Sequence, residues 1–284
     1  MTIGFNHHGK PSEPQGVGVT KLVQQTGVKL ARLDAVMSSF PGNHQKEWPV
    51  WIQANDQKLL LTFNWNKQIP ANIPVAIDKA LAVQDHFQRL CDVDSLMPDN
   101  EPRDMDWANP AWIRFYLELI AEMRPLAKHR LIVSPATHGH SNWTLATQPN
   151  EAQELSYQRG AARHALNEGR AVLETCDVVN FHGYARVDPG RRYPDAALDL
   201  AGPVVNILSV LGKSIWQCEN GTSQAVVGPI PHDRRFRHVL EGAECLESAG
   251  IERVYVYASW DGKPADKTAG YVGQDGALLI SNPV

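Results

Sequence analysis

The sequence lacks the features that mark several large classes of protein. Its 284 residues carry 27 basic and 31 acidic side chains, a formal net charge of −4, and they contain no block of lysine and arginine. Nucleic-acid binding usually needs a basic face, so we expect no nucleic-acid partner. No apolar run approaches the ~18–20 residues of a membrane span, so we expect no membrane partner. The start, MTIGFNHHGK, does not have the pattern of a signal peptide, and the sequence leaves localisation open.

The sequence also has few cysteines and no glycine-rich phosphate-binding motif. The four cysteines, at positions 91, 176, 218 and 245, form no CxxC pair, which disfavours a zinc knuckle or a thioredoxin-type redox site. Neither GxGxxG nor GxxxxGK[ST] occurs, which disfavours nucleotide binding. What is present is an ordinary globular composition, with 43% hydrophobic and 20% charged residues. Because no linker or break in composition divides the chain, the sequence predicts one domain covering residues 1–284.

A strand-like apolar run followed by a helical stretch recurs along the chain. Apolar residues at helical spacing predict helices over 74–90, 107–127, 151–173, 195–211 and 233–249, and a further helix that Gly27 ends. Several runs, such as LLLTF and VYVYA, are apolar almost throughout, which is typical of parallel strands covered on both faces. The predicted strands are Thr2–Asn6, Val28–Asp34, Lys58–Asn64, Asp92–Met97, Arg130–Pro135, Val178–Tyr184, Ser214–Cys218 and Arg253–Trp260.

Eight such units predict an α/β fold, a single (β/α)8 TIM barrel, whose usual size is about 250 residues. A doubly wound sheet is the alternative, but the glycine-rich loop that is typical of it is missing here. In a (β/α)8 barrel the active site lies at the C-terminal ends of the strands. Polar residues placed there by the prediction are therefore candidates for the chemistry of the protein.

Two glutamates stand at such positions. Glu101 follows the fourth predicted strand and Glu219 the seventh, and a barrel would bring both over one central cavity. Cleavage of a glycosidic bond needs a proton donor for the departing oxygen and a carboxylate for the anomeric carbon. Arg32 lies on the second strand, where we expect it to hold Glu219 ionised, because a nearby cation lowers the pKa of a carboxyl group.

These motifs resemble those of clan A glycoside hydrolases, the retaining enzymes built on (β/α)8 barrels. Asn100-Glu101-Pro102 is similar to the turn after strand 4 in that clan, and IWQCENG (215–221) is similar to the segment that presents its nucleophile. His182-Gly183-Tyr184 resembles the His-x-Tyr of strand 6. Trp260 stands where these enzymes place a strand-8 tryptophan.

The resemblance implies a role for each matched residue. Glu101 would be the acid/base and Glu219 the nucleophile. Asn100 would bind the sugar 2-hydroxyl, while Tyr184 and Arg32 would orient Glu219. The family within the clan stays open.

The segment after strand 3 departs from the resemblance. Members of glycoside hydrolase family 5, which belongs to this clan, have a histidine at that position, and this sequence has Asn64-Trp65 instead. Trp65 is therefore a candidate for stacking on a sugar ring. Cys218 before the nucleophile is also uncommon. We expect the substrate to be contacted by Arg32, Asn64, Trp65, Asn100, His138, His182, Tyr184 and Trp260.

The histidines allow a second interpretation, a metal-dependent amide or ester hydrolase on the same barrel. His7 or His8, His138, His182 and Asp261 approach the ligand pattern of such an enzyme. However, the adjacent histidines of strand 1 point to opposite faces, and no lysine follows strand 4. We therefore expect neither a metal nor a cofactor.

Together these observations predict a retaining glycoside hydrolase that cleaves β-glycosidic bonds of a polysaccharide or oligosaccharide by double displacement. Short loops favour an open cleft and endo action. Two alternatives stay open, the metal-dependent hydrolase and a carbohydrate-binding barrel without catalysis. The sequence does not determine the sugar, the linkage or the oligomeric state.

Overall fold

Eight parallel strands form one sheet in this computed structural model, in the order β5-β4-β3-β2-β1-β8-β7-β6. The structure describes residues 2–7, 10–40, 43–66, 68–102, 107–137, 150–185, 187, 190–221, 231–257, 271–272 and 277–280. The strands are β1 (Thr2–His7), β2 (Leu30–Val36), β3 (Lys58–Asn64), β4 (Val93–Met97), β5 (Leu131–Ile132), β6 (Val178–Gly183), β7 (Ser214–Asn220) and β8 (Ile251–Val256).

The two end strands of this order, β5 and β6, meet and close the sheet. Val133 forms a parallel bridge with Val178. The Asp177 backbone N–H donates to the Ile132 carbonyl at 2.8 Å, and the Ser134 N–H donates to the Val178 carbonyl at 2.9 Å. The predicted (β/α)8 barrel is therefore confirmed.

Helices cover the outside of the barrel. Asn72, Asn109 and Asn150 each accept a hydrogen bond from a backbone N–H of the helix that follows, the usual role of an N-cap. Gly27, with φ of 64°, ends the first helix as predicted. The helices are α1 (Pro14–Thr26), α2 (Asn43–Ala54), α3 (Ile73–Leu90), α4 (Pro110–Ala127), α5 (Glu151–Glu168), α6 (Arg170–Thr175), α7 (Tyr193–Leu208) and α8 (His232–Ser248).

Helix α2 is absent from the sequence-based prediction. It contains Pro49, which has no backbone N–H and normally disfavours a helix interior. Trp48 and Ile52, four residues apart on one face, are 1% and 0% exposed. Burial of this face offsets the missing hydrogen bond, and such tertiary packing cannot be read from local sequence.

The helix predicted over 151–173 divides into α5 and α6 at Gly169. A Cβ at Gly169 would lie 2.1 Å from the ring of Trp107, so only glycine allows this approach. Strand β7 extends two residues beyond the predicted end, which places Glu219 within the strand rather than after it.

A cluster of mostly apolar side chains fills the inside of the barrel below its C-terminal face. Gly4 faces the ring of Tyr255, where a Cβ would lie 2.6 Å from a ring carbon. At the N-terminal end, Arg253 forms an ion pair with Asp94 and lies 4.2 Å above the ring of Trp216. This packing fills the lower barrel and leaves its C-terminal face as the place for a site. The interior cluster is Leu30, Leu60, Met97, Val133, Val178, Trp216, Cys218 and Tyr255.

One helical stretch of the described residues, Tyr193–Leu211, is long and apolar enough to span a membrane by length and composition. It consists of α7 and a following 3-10 turn, and α7 packs against α5 and α8. Nine side chains of α7 are buried. This is the environment of a core helix.

Candidate active site

A β-bulge turns Glu219 towards the inside of the barrel. Cys218 belongs to the interior cluster, so strict alternation would send Glu219 outward. Phe181 lies opposite Gln217, and His182 lies opposite Glu219, so β7 carries one extra residue here relative to β6. A bulge of this kind re-aims side chains, and it places Glu219 among the polar groups of the barrel mouth.

Arg32 and Tyr184 both bind the Glu219 carboxylate. Arg32 Nη1 donates to Oε1 at 2.6 Å, and the Tyr184 hydroxyl donates to Oε2. Burial by itself raises the pKa of Glu219, but the proximity of His182 and Arg32 and the hydrogen bond from Tyr184 outweigh it. The pKa of Glu219 therefore lies below its ordinary value of 4.5, and the group is ionised at neutral pH.

Glu101 lies beside Glu219. It follows β4, is 6% exposed, and has its Oε1 2.8 Å from Nδ1 of His182. The same nitrogen lies 3.5 Å from Oε2 of Glu219. One oxygen from each glutamate and one nitrogen of His182 lie within 4.8 Å of one another. This spacing is close to the ~5–5.5 Å between the carboxyl groups of retaining glycosidases and shorter than the ~6.5–9.5 Å of inverting enzymes.

The turn that carries Glu101 is fixed by buried hydrogen bonds. Asp99 accepts from the Asn100 backbone N–H at 2.8 Å and from the Tyr116 hydroxyl at 2.7 Å. The indole N–H of Trp65 donates to the Pro98 carbonyl at 2.8 Å. Tyr116 stands among the apolar residues of α4 and belongs to no motif, so no pattern in the sequence indicates its role.

Arg32, on β2, also binds residues of β3 and of the turn after β4. Its Nη2 donates to Oδ1 of Asn100 and, at 3.1 Å, to Oδ1 of Asp34, while its Nε donates to Thr62 at 3.2 Å. Asp34 accepts in turn from Asn64 at 3.4 Å. Arg32 is fully buried, so water does not screen these contacts.

A cavity of about 330 Å³ opens beside Glu101 and is lined by Asn64, Asn66, Asp99, Asn100 and Glu101. Its walls supply amide and carboxylate groups, which can donate to and accept from the hydroxyl groups of a sugar.

Trp65 does not line this cavity. It is 9% exposed and its ring lies edge-on to Phe115 at 5.0 Å, in the layer between the barrel and α4. Stacking of Trp65 on a sugar stays a prediction.

The remaining predicted site residues have different outcomes. His138 and Trp260 lie outside the described residues, as do His8 and Asp261. His7 points outward from the barrel, where it stacks on Trp48 at 5.3 Å and lies 3.2 Å from Gln57. His7 therefore cannot join His182 in the metal site considered above.

The two glutamates and His182 are themselves a group that could hold a metal ion. Two carboxylates and an imidazole are acceptable zinc ligands. However, the Glu219 oxygens already accept from the Arg32 guanidinium and the Tyr184 hydroxyl. The donor set therefore fits a carboxylate held by hydrogen bonds better than a metal ligand.

Solved structures that are similar to this one include several glycoside hydrolases. They include a family 39 glycoside hydrolase from the gut symbiont Bacteroides cellulosilyticus WH2, with a TM-score of 0.65 and 13% identity over 97% of this chain and 60% of that one. A fungal β-1,4-galactanase has a TM-score of 0.67 and 14% identity over 100% of this chain and 98% of that one. A GH5-4 broad specificity endoglucanase from Clostridium acetobutylicum has a TM-score of 0.63 and 15% identity over 100% of this chain and 95% of that one. This chain thus spans 60% of the length of the family 39 enzyme.

No protein-family model and no curated protein matches the sequence. At 13–15% identity, the similarity to these structures establishes the fold. They leave the family of this chain open. The chain therefore has the (β/α)8 fold of these glycoside hydrolases, as its resemblance to clan A predicts.

Proposed function

We propose that this protein is a retaining glycoside hydrolase that cleaves β-glycosidic bonds by double displacement. The observation that carries the proposal is the position of Glu101 and Glu219, whose oxygens lie within 4.8 Å of each other at the mouth of the barrel. Their environments differ, since Glu219 is held as an anion by Arg32 and Tyr184. Two carboxyl groups at this spacing with separate surroundings are what the two-step mechanism requires.

In the first step, Glu219 attacks the anomeric carbon and forms a glycosyl-enzyme ester. The bond from that carbon to the leaving oxygen breaks, and Glu101 gives its proton to that oxygen. We assign a proton to Nδ1 of His182, because carboxylate oxygens surround Nδ1 and Nε2 has no hydrogen-bond partner among the described residues. Oε1 of Glu101 then accepts from His182, so the acidic proton of Glu101 belongs on Oε2.

In the second step, Glu101 is a base. It removes a proton from a water molecule, whose oxygen attacks the anomeric carbon and displaces Glu219 as a carboxylate. Two inversions at one carbon give net retention of the β configuration. The hydrogen bonds from Arg32 and Tyr184 stabilise the negative charge of Glu219 as it leaves.

The substrate of the proposal is a β-linked polysaccharide or oligosaccharide. The polar cavity beside Glu101 supports this class, because its amide and carboxylate groups match sugar hydroxyls. Structural neighbours named as a galactanase and an endoglucanase support it further. Endo action is part of the proposal and follows from the short loops expected from the sequence.

The test is a hydrolysis assay on a panel of β-linked polysaccharides and aryl β-glycosides. We expect the wild type to hydrolyse at least one substrate and Glu219→Ala to lose about 10³-fold or more of the activity. Added azide should restore turnover of Glu219→Ala and yield the α-glycosyl azide. Glu122→Ala, an exposed acid on α4, is the matched control and should keep full activity. Retained activity in Glu219→Ala would contradict the proposal, and sugar binding without hydrolysis would favour a carbohydrate-binding barrel.

A metal-dependent hydrolase is the second candidate, on the single observation that Glu101, His182 and Glu219 converge. It predicts loss of activity in EDTA and recovery with zinc. Our proposal predicts that activity is insensitive to chelators. Metal analysis of the purified protein is an independent check.

A further inference from the structure

The bulge that directs Glu219 inward is present relative to both neighbouring strands. From Gln217 to Asn220, β7 advances three residues while β8 advances two, from Val254 to Val256. Relative to β6, β7 also carries one extra residue at Cys218–Glu219. The backbone of the bulge therefore departs from regular ladder pairing on both sides, and something else must fix its conformation.

Side chains from three strands bind the backbone of Cys218. Its N–H donates to Oδ1 of Asn180 at 3.0 Å. Its carbonyl accepts from Arg32 Nη1 at 3.0 Å and from Asn6 Nδ2 at 3.4 Å. Cys218 is 0% exposed, so water cannot replace these partners.

Asn180 is itself held in one orientation. It lies on β6, is 0% exposed, and its backbone N–H donates to the Ser134 hydroxyl at 2.9 Å. Its side-chain Nδ2 faces the sulfur of Met97 at 3.1 Å. A thioether accepts and the Cys218 N–H donates, so the amide of Asn180 can satisfy both partners only with Oδ1 towards Cys218.

We infer that Asn180 is a positioning residue for Glu219. By accepting from the Cys218 N–H, it stabilises the bulge conformation that sends the next side chain to Arg32 and Tyr184. The inference rests on the proposed function for the role of Glu219 as nucleophile, while the restraint on the bulge is a property of the fold. Nothing in the Asn-Glu-Pro or His-x-Tyr motifs includes this residue.

Amide hydrogen exchange tests the restraint without any substrate. The chain has four cysteines, so protein labelled only with ¹⁵N-cysteine gives four backbone amide signals. We expect the Cys218 amide to exchange about tenfold faster or more in Asn180→Ala, because its buried acceptor is gone. Cys91 lies at the C-terminal end of α3 and Cys245 lies within α8. The exchange rates of their amides report global destabilisation and should change far less.

Kinetics on a substrate from the panel tests the positioning role. Asn180→Ala should lower kcat about tenfold or more and leave KM within about threefold, because the nucleophile is displaced while the sugar-binding groups stay. Asn180→Asp keeps an acceptor at Oδ1, so Cys218 should regain slow exchange and kcat should recover in part. Leu30→Ala, in the interior cluster at the first residue of β2, is the control for loss of core packing. It should destabilise the fold without selective exchange at Cys218.

Three results would overturn the inference. Equal acceleration of all four cysteine amides in Asn180→Ala would show general destabilisation and no specific restraint. Selective acceleration at Cys218 with unchanged kcat would show that the bulge does not position the nucleophile. An Asp variant with exchange and kcat no better than those of the Ala variant would contradict the role of the acceptor.

If the wild type hydrolyses nothing, the proposed function fails, and the exchange data alone decide whether Asn180 holds the bulge. Asn180→Ser, also too short to reach Cys218, repeats the test if Asn180→Ala does not fold.

Discussion

Arg32 on β2 donates from Nη1 to Oε1 of Glu219 on β7 at 2.6 Å, although the two residues are 187 positions apart in the sequence. The same guanidinium binds the Cys218 carbonyl, Asp34 and Asn100. One buried cation therefore connects the strand of the proposed nucleophile to the turn of the proposed acid.

Tyr184→Phe should move the pH dependence of the reaction. The Tyr184 hydroxyl lowers the pKa of Glu219, and only ionised Glu219 can attack. Without that hydroxyl the pKa rises, so the acidic limb of the kcat/KM profile should shift to higher pH, with kcat about tenfold lower. Tyr157→Phe, on α5, is the control and should leave the profile unchanged. A shift to lower pH in Tyr184→Phe would contradict this account of the charge on Glu219.

The stability of the fold should depend on the ionisation of Glu219 in acid. Its folded-state pKa is lowered, so its contribution to stability is fully present above the ordinary value of 4.5 and is lost as the pH falls through the folded-state value. The unfolding free energy of the wild type minus that of Glu219→Gln should thus be constant near neutral pH and decrease below about pH 4.5. Urea unfolding at several pH values measures it. A difference that grows on acidification would mean that the pKa of Glu219 is raised instead.

Glu101→Gln should affect substrates according to their leaving groups. An acid catalyst matters most when the departing oxygen is strongly basic, as in a natural sugar chain, where we expect a loss of about 10²–10⁴-fold. The dinitrophenolate of a dinitrophenyl glycoside leaves without protonation, so the rate of the first step should change little for this substrate. The values of kcat/KM on both substrates, which report the first step and not the second step in which Glu101 is the base, give the comparison. An equal loss on both would remove the role of Glu101 as the acid.

Gly4→Ala should destabilise the barrel because the added Cβ meets the ring of Tyr255 at 2.6 Å. Overpacking of this kind costs about 1–3 kcal/mol. Gly160→Ala is the matched control: Gly160 lies in α5 with nothing within 4 Å of the added carbon, and the change should stabilise the helix by up to about 1 kcal/mol. Urea denaturation measures both. A neutral Gly4→Ala would show that the interior of the barrel is more loosely packed than described.

The fold was largely predictable from the sequence, because parallel strands buried on both faces leave long apolar runs. All eight predicted strands have counterparts in the structure, and the Glu101 and Glu219 positions follow from counting strands. Helix α2 was missed because burial of Trp48 and Ile52, rather than local propensity, offsets Pro49.

The fine geometry of the candidate site was not predictable. Simple alternation along β7 sends Glu219 outward, and only the register against β6 and β8 reveals the bulge that reverses it. Tyr116 and Asn180 hold the site through single hydrogen bonds, and such contacts leave no periodic pattern in a sequence. The expected roles of His138 and Trp260 fall outside the described residues and stay predictions.

The stereochemistry of hydrolysis tests the central claim most directly. ¹H NMR of a β-linked substrate during the first minutes of reaction identifies the anomer released before mutarotation. One oxygen of Glu101 lies within 4.8 Å of one oxygen of Glu219, which fits the short carboxyl spacing of retaining enzymes, so the first product should be the β anomer. Release of the α anomer would show inversion and contradict the double-displacement mechanism.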